Sequence, residues 1–322
     1  MEIGMDNGRH LYLSKAAYNG YMEGMRNALS VLKKHLKNKQ YKRMQEDLQL
    51  IGNNFNEAVF LQSACETSVC ASIARMYPDG FEYEPKTNPP KDVDCSFEVD
   101  GYRFNIEVKC ADYSRKHTVD KSDGFKVGAM GRYSNYHETI GILEKMFKGV
   151  ASGGIVPQIN MDNKLKDFLV SAHTKFGCNV QSKELNVLVV CCDDIMDVQR
   201  WYSYMFESGG MFTETPFSSD AEYSKVDAVI LSNVYHRHYH FWQKNKIFNH
   251  WKLEDSFNLI FSSPYRKYDK RDCILKLVGC FPNYSEKLCG YRNPSSFDSL
   301  KISYFVIDEL INNGVFCFQP AK

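Results

Sequence analysis

Two carboxylates and a lysine lie close together in the segment 92–110, which reads DVDCSFEVDGYRFNIEVKC. Asp100-Gly101 is a two-residue turn signal between two runs in which apolar and polar residues alternate. Counting outward from this turn places Asp94 opposite Glu107, with Lys109 on the same face of the hairpin. Like charges directly opposite each other destabilise a strand pair, so something must offset this repulsion.

A divalent cation offsets the repulsion well, because Mg²⁺ and Ca²⁺ prefer hard oxygen ligands. A shared proton would also do so, by raising the pKa of one carboxyl group. Lys109 adds a positive charge to the same face. The residue types therefore predict a site of two acids and a lysine, held on rigid strands.

The rest of the hairpin agrees with this register. Its apolar pairs are Val93–Val108, Cys95–Ile106, Phe97–Phe104 and Val99–Tyr102, and its other polar pairs are Asp92–Lys109, Ser96–Asn105 and Glu98–Arg103. One face is wholly apolar and is expected to pack against a core.

The hairpin is set among alternating helices and strands. Helices are predicted over 14–49 (with Ser14 as N-cap), about 54–76, 137–148, 161–176, 197–207 and 297–312, and strands over 81–85, 185–192, 226–232, 258–262 and 314–318. The polar stretch 111–136 is predicted to be a long functional loop. This alternation predicts a mixed α/β fold.

The helix, the strand and the hairpin resemble the PD-(D/E)xK (restriction-endonuclease-like) nuclease superfamily. Asp94 matches the first acid of that motif, and Glu107-Val108-Lys109 matches its Glu-x-Lys. Val93 occupies the slot where the family usually has proline, and Pro90 lies four residues before the acid. The resemblance covers roughly residues 54–110. It implies a restriction-endonuclease-like mixed central sheet flanked by helices.

The resemblance also implies an activity and a set of site residues. The activity is metal-dependent hydrolysis of phosphodiester bonds in DNA, with restriction or anti-phage defence as the biological role. Asp94, Glu107, the Val108 carbonyl and a helix acid would hold Mg²⁺ or Mn²⁺, and Lys109 would assist catalysis. Glu66 and Glu57 are the candidate helix acids, about half a revolution apart. Glu66 is preferred, because it lies among apolar residues, where a carboxylate is rarely found unless it has a functional partner.

Basic residues follow the hairpin directly. Arg115, Lys116, Lys121 and Lys126 are expected to contact nucleic-acid phosphates through charge. DNA is the expected partner, and RNA is an alternative substrate. An alternative function is a non-catalytic nucleic-acid-binding or complex-forming subunit with the same fold.

Composition indicates the class of protein and its cellular compartment. The 322 residues carry a net charge of +1, and 43% of them are hydrophobic, which is ordinary for a globular protein. The eleven cysteines form no CxxC pair and are expected to be free thiols in a reducing cytoplasm. No membrane span or secretory signal is predicted. Residues 1–50 are predicted to form an N-terminal helical segment that contacts a partner protein or a second copy, and residues 51–322 the nuclease domain with a C-terminal extension.

Two further groups of residues leave alternatives open. His236, His238 and His240 would share one face of a strand and could hold a transition metal, whereas a helix would scatter them. Partly buried histidines in an aromatic loop are the simpler interpretation. Asp193-Asp194 follows a buried strand, where sites occur in α/β sheets, although a helix N-cap is the plainer interpretation.

Overall fold

The computed structural model describes residues 10–16, 20–52, 54–127, 136–148, 154–158, 161, 163–177, 182–242, 250–292 and 300–310. The strands are β1 (Glu82–Tyr83), β2 (Cys95–Val99), β3 (Tyr102–Cys110), β4 (Phe125–Val127), β5 (Ile155–Pro157), β6 (Glu184–Cys191), β7 (Ala228–Ser232) and β8 (Asn258–Ser262). The helices are α1 (Leu11–Ala16), α2 (Tyr21–Lys33), α3 (Asn38–Asp47), α4 (Glu57–Met76), α5 (Ser114–Asp120), α6 (Tyr136–Met146), α7 (Lys164–Lys175), α8 (Ile195–Phe206), α9 (Val234–Tyr239), α10 (Arg271–Cys280), α11 (Ser285–Gly290) and α12 (Lys301–Phe305).

A six-stranded mixed sheet flanked by helices forms the centre of this α/β fold. The strand order is β1-β2-β3-β6-β7-β8, in which β3, β6 and β7 are parallel while β1, β2 and β8 are antiparallel to their neighbours. Strands β4 and β5 form a separate parallel pair. The central strand β6 is a nearly continuous apolar run because helices cover both of its faces.

The predicted hairpin is confirmed in its register. Strands β2 and β3 pair from Cys95–Ile106 to Val99–Tyr102, as counting from the turn required. Asp100 and Gly101 take φ angles of 51° and 76°, which are the left-handed values that a two-residue turn demands. The predicted apolar face is buried except for the half-buried pair Val99–Tyr102 beside the turn, and the rings of Phe97 and Phe104 stack at 4.8 Å.

Helix α4 lies behind this hairpin. Asn56 caps the helix, since its side chain accepts a hydrogen bond from the Val59 amide at 3.1 Å. The helix ends before the 3₁₀ turn Pro78–Gly80, as the breakers there predicted. Gly80 lies so close to the hairpin that an added Cβ would meet the Glu98 carbonyl oxygen at 2.4 Å, so only glycine fits.

The predicted N-terminal helix over 14–49 is wrong as a single element. The segment forms three helices, because Gly20 takes a left-handed φ of 66° at the start of α2 and Lys37 is extended before α3. Ser14 lies inside α1, which begins at Leu11, so it is not the N-cap. Side chains of α2 such as Met25 belong to the same hydrophobic core as the sheet. The domain boundary at residue 50 stays a prediction.

Other element predictions need smaller corrections. Segment 111–136 contains helix α5 and strand β4 rather than one long loop, because Tyr113 and Lys116 are buried and anchor that helix. Strand β1 is only two residues long. The last helix is described from Lys301 through a π-helical turn to Leu310, and the strand predicted at 314–318 lies outside the described residues.

Strand β8 forms one edge of the sheet and is covered by α11. The Ile260 amide donates to Ser285 Oγ at 2.7 Å, and the Asn258 carbonyl accepts from the Tyr284 amide at 2.9 Å. The cysteines in the described part of the chain are free thiols. Among the described helices, none has the length and apolar character needed to cross a membrane.

Candidate active site

The two acids of the hairpin lie on one side of the sheet. Glu107 is buried in β3, and Asp94 directly precedes β2. Asp94 Oδ2 accepts a hydrogen bond from the Val108 amide at 2.6 Å, which fixes this carboxylate where the strand ladder ends. A single ammonium group, that of Lys175, lies 2.7 Å from Glu107 Oε1 and 3.8 Å from Asp94 Oδ1. The structure therefore brings the two carboxylates together.

Lys109 belongs to the same cluster. Its ammonium nitrogen lies 2.7 Å from Glu107 Oε1, and its side chain is 22% exposed. The prediction that Lys109 pairs with Asp92 is wrong. The β2–β3 ladder ends at Cys95–Ile106, and the Lys109 ammonium contacts Glu107 instead. The other predicted ion pair is confirmed, with 2.9 Å between Arg103 Nη1 and Glu98 Oε1.

Lys175 is a site residue that the sequence did not reveal. It ends helix α7, and the loop before the hairpin holds that end in place: Thr87 Oγ1 donates to the Lys175 carbonyl at 2.8 Å, and Asn88 donates to the Thr174 carbonyl at 2.9 Å. Gly177 fits against Thr87, whose carbonyl oxygen would lie 2.6 Å from an added Cβ. The only sequence signal was a lysine in the last turn of a predicted helix, which is common at helix C-termini.

Glu66 extends the cluster from α4. Burial, together with the nearby Glu107 carboxylate, raises the pKa of Glu66 to about 7. Burial and the charges of Glu66 and Glu107 also raise the pKa of Asp94, while Lys175 and the Val108 amide oppose that rise. The three acids thus share one electrostatic environment.

Glu57 lies away from this environment. It is exposed at the start of α4, and its carboxylate accepts a hydrogen bond from the Tyr12 hydroxyl at 2.8 Å. Of the two helix acids that the sequence offered, Glu66 is therefore the one placed beside the hairpin.

The donor atoms at the hairpin are of the kind that suits a hard dication. Two carboxylates and the adjacent peptide group of Val108 supply oxygen, which Mg²⁺ prefers. Within the described residues, the groups of three ligands whose atoms all lie within 4.8 Å of one another do not include Asp94, Glu107 or Glu66. The Lys175 ammonium contacts both hairpin carboxylates here, so it balances their charge.

The four basic residues expected to contact phosphates differ in their surroundings. Arg115 and Lys121 are exposed on or beside α5, and Lys126 donates to the Asp120 carbonyl. The expectation that Lys116 contacts phosphates is wrong, because its side chain is only 4% exposed and is surrounded by carboxylates. It neutralises buried acids instead of facing solvent.

Those acids form a second cluster, just beyond the end of β6. Asp193 Oδ2 accepts from the Lys116 ammonium at 2.9 Å and from His117 Nε2 at 2.8 Å. Burial opposes ionisation of Asp193, but the His117 hydrogen bond and the Lys116 charge outweigh it and hold the pKa of Asp193 below its usual range. Asp194 accepts from the Asp197 amide at 2.8 Å, so the N-cap interpretation is correct for Asp194.

The histidine run reaches this second cluster on a helix. His236 and His240 are four residues apart on and just after α9, so they face the same side, towards Asp193. One ligand atom from each of these three residues lies within 4.8 Å of the others. His238 faces elsewhere and bonds Tyr21. The strand and the aromatic loop considered for the run are therefore both wrong, and the helix brings His236 and His240 together instead of scattering them. The buried acid and histidine cluster could hold a metal ion.

Burial also sets the charge state of these imidazoles. It lowers the pKa of His236 to about 3, with a further contribution from His240, and it lowers the pKa of His240 as well. Both rings are therefore neutral near pH 7, which is the form that binds metal ions.

Comparison with known proteins adds no relative to these observations. The chain matches no protein-family model, no curated protein and no solved structure. Inferences about what this chain does therefore rest on the geometry of its own residues.

Proposed function

We propose that this protein is a metal-dependent nuclease that hydrolyses phosphodiester bonds in DNA. The observation that carries the proposal is the meeting of Asp94 and Glu107 on one face of the hairpin, with Lys109 beside them. In a hairpin that merely carried surface salt bridges, Glu107 would be exposed, whereas here it is completely buried.

The finer fold assignment, a restriction-endonuclease-like domain, is part of the same proposal. Its support is the order of elements around the site: helix α4, the antiparallel hairpin β2–β3, and then parallel pairing of β3 with β6. This is a hairpin that opens a mixed sheet, as the resemblance implies. Glu66 on the preceding helix completes the expected arrangement of acids.

Each residue has a distinct role in the proposed reaction. Asp94, Glu107, the Val108 carbonyl and Glu66 would hold Mg²⁺ or Mn²⁺, which when bound polarises the scissile phosphate and lowers the pKa of the attacking water. Lys109 stabilises the negative charge that develops on the phosphate and orients the water. The Val108 amide holds Asp94 in place through its 2.6 Å hydrogen bond.

Lys175 is a positioning residue in this scheme. Its ammonium balances the charge of Asp94 and Glu107 and so opposes the repulsion between the two carboxylates. The helix end that carries it is fixed by Thr87 and Asn88, which directly precede the hairpin.

Helix α5 offers charge for binding the nucleic-acid backbone. Arg115 is exposed on α5, Lys121 is exposed directly after it, and α5 is the next element after β3. Such contacts attract any sequence and weaken as salt rises. The proposal therefore concerns DNA in general and specifies no target sequence.

Cleavage of plasmid and linear DNA by purified protein tests the proposal. We expect the wild type to cut in Mg²⁺ and to be inactive with a chelator. Lys109→Ala should slow cleavage by about 100-fold or more, because a positioned proton-transfer or charge-stabilising group contributes that much. Asp94→Asn should abolish cleavage, since it removes a ligand charge while keeping the size of the side chain.

Matched controls come from exposed residues of the same types. Lys91→Ala and Asp79→Asn change side chains outside the cluster and should cleave at the wild-type rate. Cleavage that survives both Asp94→Asn and Lys109→Ala would rule the proposal out. An inactive wild type that still binds DNA would support the alternative of a non-catalytic binding subunit.

A further inference from the structure

The carboxyl ends of two neighbouring parallel strands bring chemically active side chains together, apart from the hairpin. Asp193 follows β6, while His236 lies in α9, the helix after β7, and His240 directly follows that helix. The His236 amide donates to the Cys192 carbonyl at 3.2 Å, so α9 is held against the end of β6. This edge of a parallel sheet is where ligands commonly bind in α/β proteins.

A buried oxygen atom of Asp193 indicates that a ligand binds at this position. The residue is 3% exposed, and its Oδ2 already accepts from Lys116 and His117. Its Oδ1 is buried and accepts no hydrogen bond from any residue that the structure describes. A buried carboxylate oxygen with unused lone pairs is costly unless a donor or a cation meets it.

We propose that Asp193, His236 and His240 bind a first-row transition dication of the Zn²⁺ type. One ligand atom from each lies within 4.8 Å of the other two, which is close enough for a single ion. Two imidazoles with one carboxylate favour zinc or a similar ion over Mg²⁺, which prefers oxygen ligands. Three protein ligands leave a further coordination position for water or for a substrate atom.

The surrounding residues suit such an ion. Lys116 and His117 donate to Asp193 Oδ2 and so orient the carboxylate from behind, as outer-shell partners of metal ligands do. The Lys116 ammonium is within 3.3 Å of further carboxylates, those of Asp120, Asp194 and Asp197. Arg200 adds one more positive charge, 3.9 Å from Asp197. Four acidic side chains thus lie around Lys116 and Arg200, while the positive charge of Arg237 also acts on His236.

This site is separate from the hairpin cluster and does not depend on the proposed nuclease activity. Glu107 pairs with Leu188 in β6, whereas β6 ends three residues later at Cys191, roughly 10 Å further along the strand. Asp193 lies beyond that end. The two clusters therefore have different residues, different donor chemistry and different preferred ions.

Titration of the full-length, chelator-treated protein with Zn²⁺ alone, in competition with a chromophoric chelator, measures the site. We expect one equivalent to bind tightly, and His240→Ala to weaken binding by about 100-fold or more, because even outer-shell partners of metal ligands cost 10- to 100-fold. Asp193→Asn keeps the side-chain size and should weaken binding similarly. Co²⁺ alone should give visible absorption bands in the wild type that both variants lose.

Two controls separate this site from others. His35→Ala removes a histidine that contacts Phe81, far from the cluster in sequence, and should bind Zn²⁺ as the wild type does. Asp94→Asn disables the hairpin and should also leave Zn²⁺ binding unchanged. The proposal is overturned if the wild type binds no equivalent of Zn²⁺, if both cluster variants bind as tightly as the wild type, or if Asp94→Asn abolishes binding.

Discussion

Glu66 is an acid whose ionisation is opposed by its position in the fold. Its pKa of about 7 in the folded chain lies above its ordinary value of 4.5, because of burial and the neighbouring Glu107 carboxylate. The folded chain therefore keeps a proton that the unfolded chain has already lost between these values. The stability that Glu66 contributes is fully present below pH 4.5 and is lost as the pH rises through about 7.

Glu66→Gln should remove this pH dependence. With a chelator present, the variant should gain about 1 to 3 kcal/mol of unfolding free energy relative to the wild type between pH 5 and pH 8. Urea denaturation at several pH values measures the gain. Glu57→Gln, which removes an exposed carboxylate from the same helix, should leave the wild-type pH dependence in place. If the difference in unfolding free energy between Glu66→Gln and the wild type is the same at every pH, Glu66 does not have a raised pKa.

Single residues were predictable where their partners lie nearby in the sequence. The positions of Asp94, Glu107 and Lys109 followed from one turn and a two-residue period. Lys175 bonds Glu107 across 68 positions, and Lys116 bonds Asp193 across 77, so the packing of whole elements decides those contacts. The sequence around Lys116 therefore gave no indication that this lysine is buried.

The end of helix α7 is positioned by a close approach of two backbones. Gly177→Ala would place a Cβ 2.6 Å from the Thr87 carbonyl oxygen, and a backbone atom cannot move aside as a flexible side chain can. We expect the variant to lose about 1 to 3 kcal/mol of stability, as overpacked sites do. Because the same helix end carries Lys175, its cleavage of DNA should also slow.

Gly141→Ala is the matched control for this prediction. Gly141 lies in α6 with open space where its Cβ would stand, so the change should stabilise the protein by about 0.5 to 1 kcal/mol. Thermal and urea unfolding of both variants measure the contrast. Equal stability of the two would show that the contact between Gly177 and Thr87 does not constrain the helix end.

At the scale of elements, helices and strands with a clear period were predictable and their interruptions were not. Strand β6 and helix α4 agree with the predicted ranges within a few residues. The break at Gly20 was missed because an isolated glycine is tolerated within many helices. Helix α9 was missed because alternating histidines and aromatic residues fit a strand pattern equally well.

At the scale of the whole molecule, two hydrogen bonds link three helices that are far apart in the sequence. The Tyr21 hydroxyl of α2 lies 2.8 Å from His238 Nδ1 of α9, and Ser68 Oγ of α4 lies 2.8 Å from His238 Nε2. All three side chains are buried. Residues from the first 50 positions thus satisfy polar groups near position 240, a link that no local pattern in the sequence could predict.

Tyr21→Phe should break this connection while keeping the ring. It leaves a buried imidazole nitrogen of His238 without its partner, at an expected cost of about 1 to 3 kcal/mol. Tyr41→Phe, at a half-buried ring that contacts Lys33, should cost much less. Urea unfolding of the two variants measures the difference, and equal stabilities would contradict the prediction.

The way the sheet ends at β8 has a consequence for self-association. An exposed edge strand offers free amides and carbonyls that can recruit a strand from another chain and begin aggregation. Here the Ile260 amide and the Asn258 carbonyl are engaged by α11. Loosening of α11, for example by loss of the Ser285 hydroxyl, would uncover that edge, and we expect self-association of the protein to increase as a result.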